Sequence, residues 1–197
     1  MSDRAFFEDA ARTRAADEVK AIEARTAAEV VVAVRHASGH YRHTDFSVGF
    51  GLALATLVGM LYLPQEFPLE TFPVGMALSF AAGATLSAWW PGLRRRLTAS
   101  ALREESVRKT ARAAFVELGV SRTTGRTGIL LFVSTFERRV EVVTDIGVDT
   151  AALGEEWTQA LAKLSAAVAA SPTPEPFFEA MRLLAPPAGA RPAALRR

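Results

Sequence analysis

Two long uncharged stretches constrain this chain more than any other feature of its sequence. The first, Phe46–Leu63, covers 18 residues and the second, Phe72–Trp90, covers 19 residues. A helix rises about 1.5 Å per residue, so each stretch spans about 27 Å, close to the ~30 Å hydrocarbon core of a bilayer. A buried helix of a soluble protein seldom runs this long without a polar face. The sequence therefore predicts a transmembrane α-helical hairpin over residues 46–90, with spans at 46–63 and 72–90.

The charges around this hairpin predict its orientation. The connection 64–71 carries Glu66 and Glu70 and no lysine or arginine, whereas the outer flanks carry Arg35, Arg42, Arg94, Arg95, Arg96 and Arg103. Cytoplasmic loops are enriched in basic residues, so we expect both termini in the cytoplasm of a bacterial cell and the hairpin in its inner membrane. Residues 1–25 have no apolar core of a signal peptide, and we expect no cleaved leader.

Small residues recur every four positions in both spans. Gly51, Ala55 and Gly59 form one stripe, and a second stripe consists of Gly75, Ser79, Gly83 and Ser87. Such stripes let helices approach closely where lipid supplies no hydrophobic force between them. They indicate that the two spans pack on each other, or that a homodimer forms on the same stripes. Neither span contains an ionisable residue, which argues against an ion path or a transporter core.

The remaining residues predict one soluble α/β domain that the hairpin interrupts. Periodicity predicts helices near 3–25, 97–118, 154–170 and 177–184, and strands at 29–35, 128–134 and 139–144, the last two as a β-hairpin. The strand 29–35, an apolar β-branched run bounded by the charges of Glu29 and Arg35, is expected to be buried on both faces. Residues 1–45 and 91–184 are thus two parts of one domain, with a small mixed sheet flanked by helices, and 185–197 are a disordered tail.

Composition excludes several classes of function. The chain has no cysteine, so disulfides, thiolate metal sites and cysteine nucleophiles are absent. The formal net charge is only +2, and basic and aromatic residues are not interleaved as in nucleic-acid-binding modules. No catalytic serine motif, phosphate-binding loop, dinucleotide fingerprint or zinc helix motif occurs.

One block of the sequence resembles the TPM domain family. It comprises Arg126–Ser134, Glu137–Val143 and Asp145–Val148, and weaker similarity extends to Arg25–Val34 and Ala113–Val120. The resemblance covers roughly residues 5–36 and 105–180. It implies an α/β/α sandwich, and links to the maintenance of membrane complexes, to phosphatase activity and to divalent-metal binding. Thr127 stands where many members of the family have asparagine.

Asp145 and Asp149 are the candidate metal ligands. They follow the third predicted strand, where loops of open α/β sheets often bind ligands, and clustered carboxylates suit Ca²⁺ or Mg²⁺. The alternative is that both aspartates only form a turn. Glu137 is expected at the opposite end of the strand and is not predicted to join them.

The three histidines, His36, His40 and His43, cluster just before the first span. They indicate either a zinc site with Asp45 or a polar collar at the level of the lipid headgroups. The run Arg94–Arg96 indicates an anchor for topology or a contact with anionic lipid.

These features favour a non-enzymatic, membrane-tethered TPM-like module that binds a partner protein at the cytoplasmic face or maintains a membrane complex. The alternative is a metal-dependent phosphatase with Asp145 in its site. A third possibility is a structural subunit of a membrane complex.

Overall fold

A computed structural model describes residues 2–25, 28–123, 125–148, 154–170 and 173–184. The described residues form the helices α1 Asp9–Glu23, α2 Arg42–Tyr62, α3 Thr71–Trp89, α4 Pro91–Leu97, α5 Ser100–Glu117, α6 Gly154–Ala170 and α7 Pro174–Met181, and the strands β1 Glu29–Arg35, β2 Gly128–Ser134 and β3 Arg139–Thr144. Short 3-10 helices cover Ser2–Phe7, Val120–Arg122 and Arg182–Leu184. The chain divides into two units. One comprises Met1–Ser38 with Arg103–Arg197, and the other comprises Gly39–Leu102. The predicted tail 185–197 lies outside the described residues.

The sheet of the first unit is mixed, as predicted. Its order is β1-β2-β3; β1 runs parallel to β2, with Glu29 opposite Gly128, and β3 runs antiparallel to β2, with Ser134 opposite Arg139. The β2–β3 hairpin is therefore confirmed. Since β1 and β2 are separated in sequence by the whole of the second unit, neither sequence segment forms this sheet alone.

The structure confirms only in part the prediction that β1 is buried on both faces. All seven residues of the central strand β2 are buried, whereas in β1 only Val30 is buried; Val32 and Val34 are partly buried against the cluster on one face of the sheet, and Val31 and Ala33 against the cluster on the other. A continuous β-branched run indicates an apolar strand but does not reveal its place in the sheet. β1 is an edge strand, and among the described residues no strand lies on its outer side.

Helices cover both faces of the sheet through two separate hydrophobic clusters. On one face Ile129, Leu131 and Val133 pack with side chains of α1, α6 and α7, including Ile22, Leu164, Val168, Phe177 and Met181. On the other face Leu130 and Phe132 pack with Val107, Ala111, Ala114 and Phe115 of α5. The mixed α/β class is thus confirmed, while the specific likeness to a TPM sandwich stays a prediction.

The helix predicted over 97–118 is interrupted near its start. α4 ends at Leu97 and α5 begins at Ser100, because Thr98 adopts an extended conformation and its hydroxyl donates to the carbonyl of Arg94 at 2.8 Å. Gly119, at φ +70°, follows the end of α5 as the predicted stop signal. A left-handed residue at this position is most easily a glycine.

The second unit contains two helices, α2 and α3, that are long and apolar enough to cross a membrane. They include the predicted spans almost entirely, although α2 already begins at Arg42. Their apolar side chains are largely uncovered: within the most apolar 18-residue window of each helix, only 22% of α2 and 11% of α3 is buried. Phe50, Leu61, Leu78 and Leu86 are each more than half exposed.

The two helices pack through small residues, but only one predicted stripe lies at their interface. A Cβ atom built on Gly83 would lie 3.0 Å from the Cα atom of Gly49, and the Thr56 hydroxyl donates to Ser79 at 2.7 Å. The stripe of Gly75, Ser79, Gly83 and Ser87 therefore faces α2. The stripe of Gly51, Ala55 and Gly59 does not face α3, since nothing lies within 4 Å of a Cβ atom built on Gly51 or Gly59. Four-residue spacing identifies a common helix face but not the direction in which that face points.

Candidate functional site

Asp145 lies directly after β3 and is almost fully buried. Its carboxylate accepts from Arg126 Nε at 3.0 and 3.2 Å and from the amide of Ile146 at 2.7 Å. Arg126, at φ +52°, belongs to the loop before β2, and the amide of Gly147 donates to its carbonyl at 2.8 Å. A Cβ atom on Gly147 would lie 2.5 Å from that carbonyl oxygen, so the two loops can approach this closely only with glycine there.

The described residues around Asp145 do not fit a Ca²⁺ or Mg²⁺ ion. Both carboxylate oxygens already accept from a guanidinium group, which a cation would have to displace, and such ions require about six oxygen ligands. Asp149, the other predicted ligand, lies outside the described residues. In the described part of the chain no three histidine, aspartate or glutamate residues are grouped as a metal site.

The direction of β3 also changes what the position of Asp145 means. Ligands of open α/β sheets bind beyond the carboxyl ends of parallel strands. Because β3 is antiparallel, Asp145 lies at the amino ends of β1 and β2, next to Gly128, whose carbonyl accepts from the Asp145 amide at 2.9 Å. The carboxyl ends of the parallel strands β1 and β2 lie at the opposite end of the sheet, around Ser134 and Glu137.

That end of the sheet holds a buried polar cluster, Ser38–Ser134–Glu137. Glu137 is 1% exposed and accepts from the Ser38 amide at 2.8 Å and, through a very short hydrogen bond, from the Ser134 hydroxyl. The Ser38 hydroxyl donates to Ser134 at 2.8 Å, and the Thr110 hydroxyl of α5 donates to the Ser38 carbonyl at 3.0 Å. The cluster joins β1, β2, α5 and the β2–β3 turn at Ser38, the last residue before the second unit.

The cluster is suited to holding backbone rather than to reacting with a substrate. Ser134 and Glu137 are shielded from solvent, and both carboxylate oxygens of Glu137 are engaged. Buried polar groups of this kind specify one arrangement when every member has a partner. The cluster therefore determines where the chain leaves β1 towards the hairpin.

A second buried polar cluster, which we call the clasp, lies within the second unit. Arg94 of α4 pairs with Asp45 of α2 at 3.2 Å, and the hydroxyl of the fully buried Ser87 of α3 donates to Asp45 at 2.9 Å. The Arg94 guanidinium also lies 5.9 Å from the centre of the Tyr41 ring, within the range of a cation–π contact. Three helices are thus connected by one carboxylate at the end of the apolar hairpin.

The three histidines predicted as a cluster belong to different units of the structure. His36 belongs to the first unit, where its carbonyl accepts from the Phe136 amide at 2.8 Å, and His40 and His43 belong to the second unit. The ring of His43 packs edge-on against Tyr41, 6.3 Å between centres. Asp45, the acidic partner considered for zinc, is engaged by Arg94, and Arg94 is therefore more than a lipid contact.

Comparison with known proteins identifies no relative of this chain. No protein family, characterised protein or solved structure matches it. The resemblance to the TPM family therefore stays a prediction.

Reasoning from sequence missed the two polar clusters, and only one of them carries a signal that could have been used. Asp45 is the last charge before the uncharged span 46–63, and an acidic residue at a predicted cytoplasmic flank calls for a basic partner. Arg94, the first charge after the second span, is its obvious candidate. The partners of Glu137 lie 3 and 99 residues away, and no local pattern connects Ser38 to it.

Proposed function

We propose that this chain is a membrane-anchored, non-enzymatic TPM-like module that binds a partner protein, or maintains a membrane complex, at the cytoplasmic face of the inner membrane. The observation that carries the proposal is the exposure of the apolar hairpin. Core helices of soluble proteins that pass the same length and hydropathy test are mostly buried, whereas α2 and α3 are mostly exposed. Water does not tolerate so much contiguous apolar surface, and a bilayer does.

The interior of the hairpin agrees with a lipid environment. Inside it, Gly83 lies so close to α2 that a Cβ atom built on it would lie only 3.0 Å from the Cα atom of Gly49, and the Thr56 hydroxyl donates to Ser79, as expected where packing and hydrogen bonds drive helix association. Tyr62, Trp89 and Trp90 are exposed at the helix ends, where amphipathic rings favour the membrane interface.

The basic flanks support the proposed orientation. Asp45 neutralises Arg94, but Arg42, Arg95 and Arg96 still make this end of the hairpin positive, whereas the connection carries Glu66 and Glu70. The positive-inside bias therefore supports cytoplasmic termini.

Reporter fusions to the full chain test this orientation. We expect a fluorescent protein that matures only in the cytoplasm to be bright at either terminus, and alkaline phosphatase to be active only when inserted at 64–71. Reversing the charges, with Arg95→Glu and Arg96→Glu combined with Glu66→Lys and Glu70→Lys, is expected to lower both signals. An active phosphatase at either terminus of the unaltered chain would refute the proposed location.

A partner surface on the first unit is supported by exposed apolar side chains at the end of the sheet where β1 and β2 begin. Ile146 is 72% exposed next to Asp145, and Leu118 is 54% exposed just before the 3-10 helix that packs on Gly128. Pull-down in mild detergent, comparing the wild type with Ile146→Ser combined with Leu118→Ser, would identify a partner of this surface.

The alternative, a metal-dependent phosphatase that uses Asp145, gains no support from the described residues. We expect no hydrolysis of a generic phosphomonoester that depends on both Mg²⁺ and Asp145. The assay compares the wild type with Asp145→Ala and with Glu141→Ala, a carboxylate on β3 outside the site. Mg²⁺-dependent hydrolysis that Asp145→Ala alone abolishes would replace the proposal with the alternative.

A further inference from the structure

β1 is one of the two edge strands of the sheet in the first unit. In the order β1-β2-β3, only β2 pairs with β1 among the described residues, and four of the seven residues of β1 are partly buried valine or alanine. A regular apolar edge strand of this kind is a template for another strand, and proteins usually protect such edges with charge or proline. β1 has neither between Glu29 and Arg35.

The hydrogen bonds identify which groups of β1 point outward. The amide of Glu29 donates to Thr127 and the carbonyl of Arg35 accepts from Thr135, both on the β2 side. Successive residues of a strand direct their backbone groups to alternate sides. The backbone groups of Val30, Val32 and Val34 therefore face away from β2, and the Val30 amide indeed donates to Glu23 on the outer side, at 2.9 Å.

We propose that two copies of this chain pair through β1, antiparallel about a two-fold axis at Val32, to form one continuous six-stranded sheet. Only this register places all three outward-facing residues opposite one another, with Val30 opposite Val34 of the second copy. It also places Glu29 opposite Arg35 of the second copy at both ends. Opposite charges directly across from each other stabilise such a pair, so the strand is complementary to itself.

A groove beside β1 accommodates the side chains that this pairing brings. The cavity, about 440 Å³, is lined by Val30, Val32 and Val34 and by Phe6, Phe7 and Ala11. Directly opposed residues of antiparallel strands have their side chains on the same face. The three outward-facing valines of the second copy would thus lie on the groove side of the sheet and extend the apolar cluster there.

Glu23 competes with the proposed pairing, so its removal is expected to strengthen the dimer. Its carboxylate accepts a hydrogen bond from the Val30 amide. In the proposed dimer that amide would instead donate to the carbonyl of Val34 in the second copy. Glu23→Ala removes this competitor and is expected to lower the dissociation constant of the dimer by about 2–10-fold for each bond gained. If Glu23→Ala weakens the dimer while the fold is retained, the proposed pairing is wrong.

Cysteine cross-linking of the full chain in detergent tests the register, since the chain has no native cysteine. At the two-fold axis the Cα atoms of Val32→Cys would lie about 5.5 Å apart, within the disulfide range. The matched control is Val31→Cys, also partly buried, whose counterpart would lie diagonally at about 7–8 Å, too far for a bridge. We expect Val32→Cys to cross-link at least about tenfold faster under mild oxidation. Equal rates, or no cross-linking, would overturn the register.

A charge exchange separates pairing from damage to the fold. Glu29→Arg and Arg35→Glu are each expected to reduce the homodimer, because each opposes like charges at both ends of the paired strands. Arg35→Glu also loses the exposed ion pair with Glu117 in every copy, and mixing does not restore that pair. A mixture of the two variants is nevertheless expected to form a mixed dimer, detected by co-purification of one tagged copy. No mixed dimer, a monomeric wild type at all concentrations, or a dimer lost only on Gly51→Ile would overturn the proposal.

Discussion

Replacing Glu137 by alanine is expected to destabilise the first unit by about 2–4 kcal/mol. The carboxylate accepts hydrogen bonds from Ser38 and Ser134 in a site shielded from solvent. Alanine leaves both donors unsatisfied and opens a cavity. Glu137→Gln keeps the shape and one acceptor, so its loss is expected to be about half as large.

Denaturant unfolding of the full chain in detergent measures this loss, with Trp157 as the fluorescent probe after Trp89→Phe and Trp90→Phe. Trp157 packs against the cluster of Leu164 and Phe177, so its emission reports on the first unit. The control is Glu141→Ala, a half-exposed glutamate of β3, for which a change within about 0.5 kcal/mol is expected. If both alanine variants unfold at the same denaturant concentration, the Ser38–Ser134–Glu137 cluster does not hold the fold.

Hydrogen exchange gives a second, local readout of the same substitution. The Ser38 amide is bonded to Glu137 alone among the bonds described, whereas the Thr135 amide is bonded to the carbonyl of Arg35. Glu137→Ala is expected to accelerate exchange at Ser38 far more than at Thr135. Uniform acceleration would indicate general loosening rather than loss of this anchor.

The helices and strands were largely predictable because each depends on the pattern of apolar and polar residues within its own segment. The uncharged runs predicted α2 and α3, and the apolar runs bounded by Gly128 and Ser134 predicted β2 and its hairpin with β3. Relations between distant elements were not. The burial of β1 depends on its neighbours in the sheet, and Val31 has the same apolar neighbours in sequence whether its strand is central or at the edge.

The candidate site was predictable only in part, for the same reason. Asp145 was correctly expected at the end of the third strand. Its ion pair with Arg126, however, depends on contact between the loop before β2 and the loop after β3. Gly51 and Gly83 belong to equally regular stripes, yet only Gly83 faces the other helix, because the rotation of a helix about its axis is decided by packing. The spacing of residues in the sequence identifies which of them share a face of a helix, but it does not identify what packs against that face.

The second large effect is expected at the clasp of the hairpin. Asp45→Ala leaves Arg94 largely buried without its carboxylate and removes the acceptor of the Ser87 hydroxyl. Breaking a buried ion pair on one side costs about 3–5 kcal/mol, and we expect about 2–4 kcal/mol here because the Arg94 side chain is 24% exposed. Arg94→Ala is expected to be comparably damaging.

The double variant decides whether the pair acts as a unit. Removing both charges together avoids an uncompensated buried charge, so the combined loss is expected to fall at least about 1.5 kcal/mol short of the sum of the single losses. The separation of α2 and α3 can be followed during SDS titration by energy transfer between dyes on His43→Cys and Ala88→Cys, two exposed positions beside the clasp. The native chain contributes no competing cysteine.

Two hydroxyl substitutions on α3 complete the test by comparing inside with outside. Ser87→Ala removes a fully buried donor to Asp45 and is expected to cost about 1 kcal/mol. Thr85→Ala removes an exposed hydroxyl that bonds only to carbonyls of its own helix, at 2.7 and 3.0 Å, and should change little. Additive losses for Asp45 and Arg94, together with equal effects at Ser87 and Thr85, would mean that glycine packing alone holds the hairpin closed. Non-additive losses would instead make Asp45 the residue that connects α4 to the two long helices, and would explain why a charge is retained at the very start of an otherwise apolar hairpin.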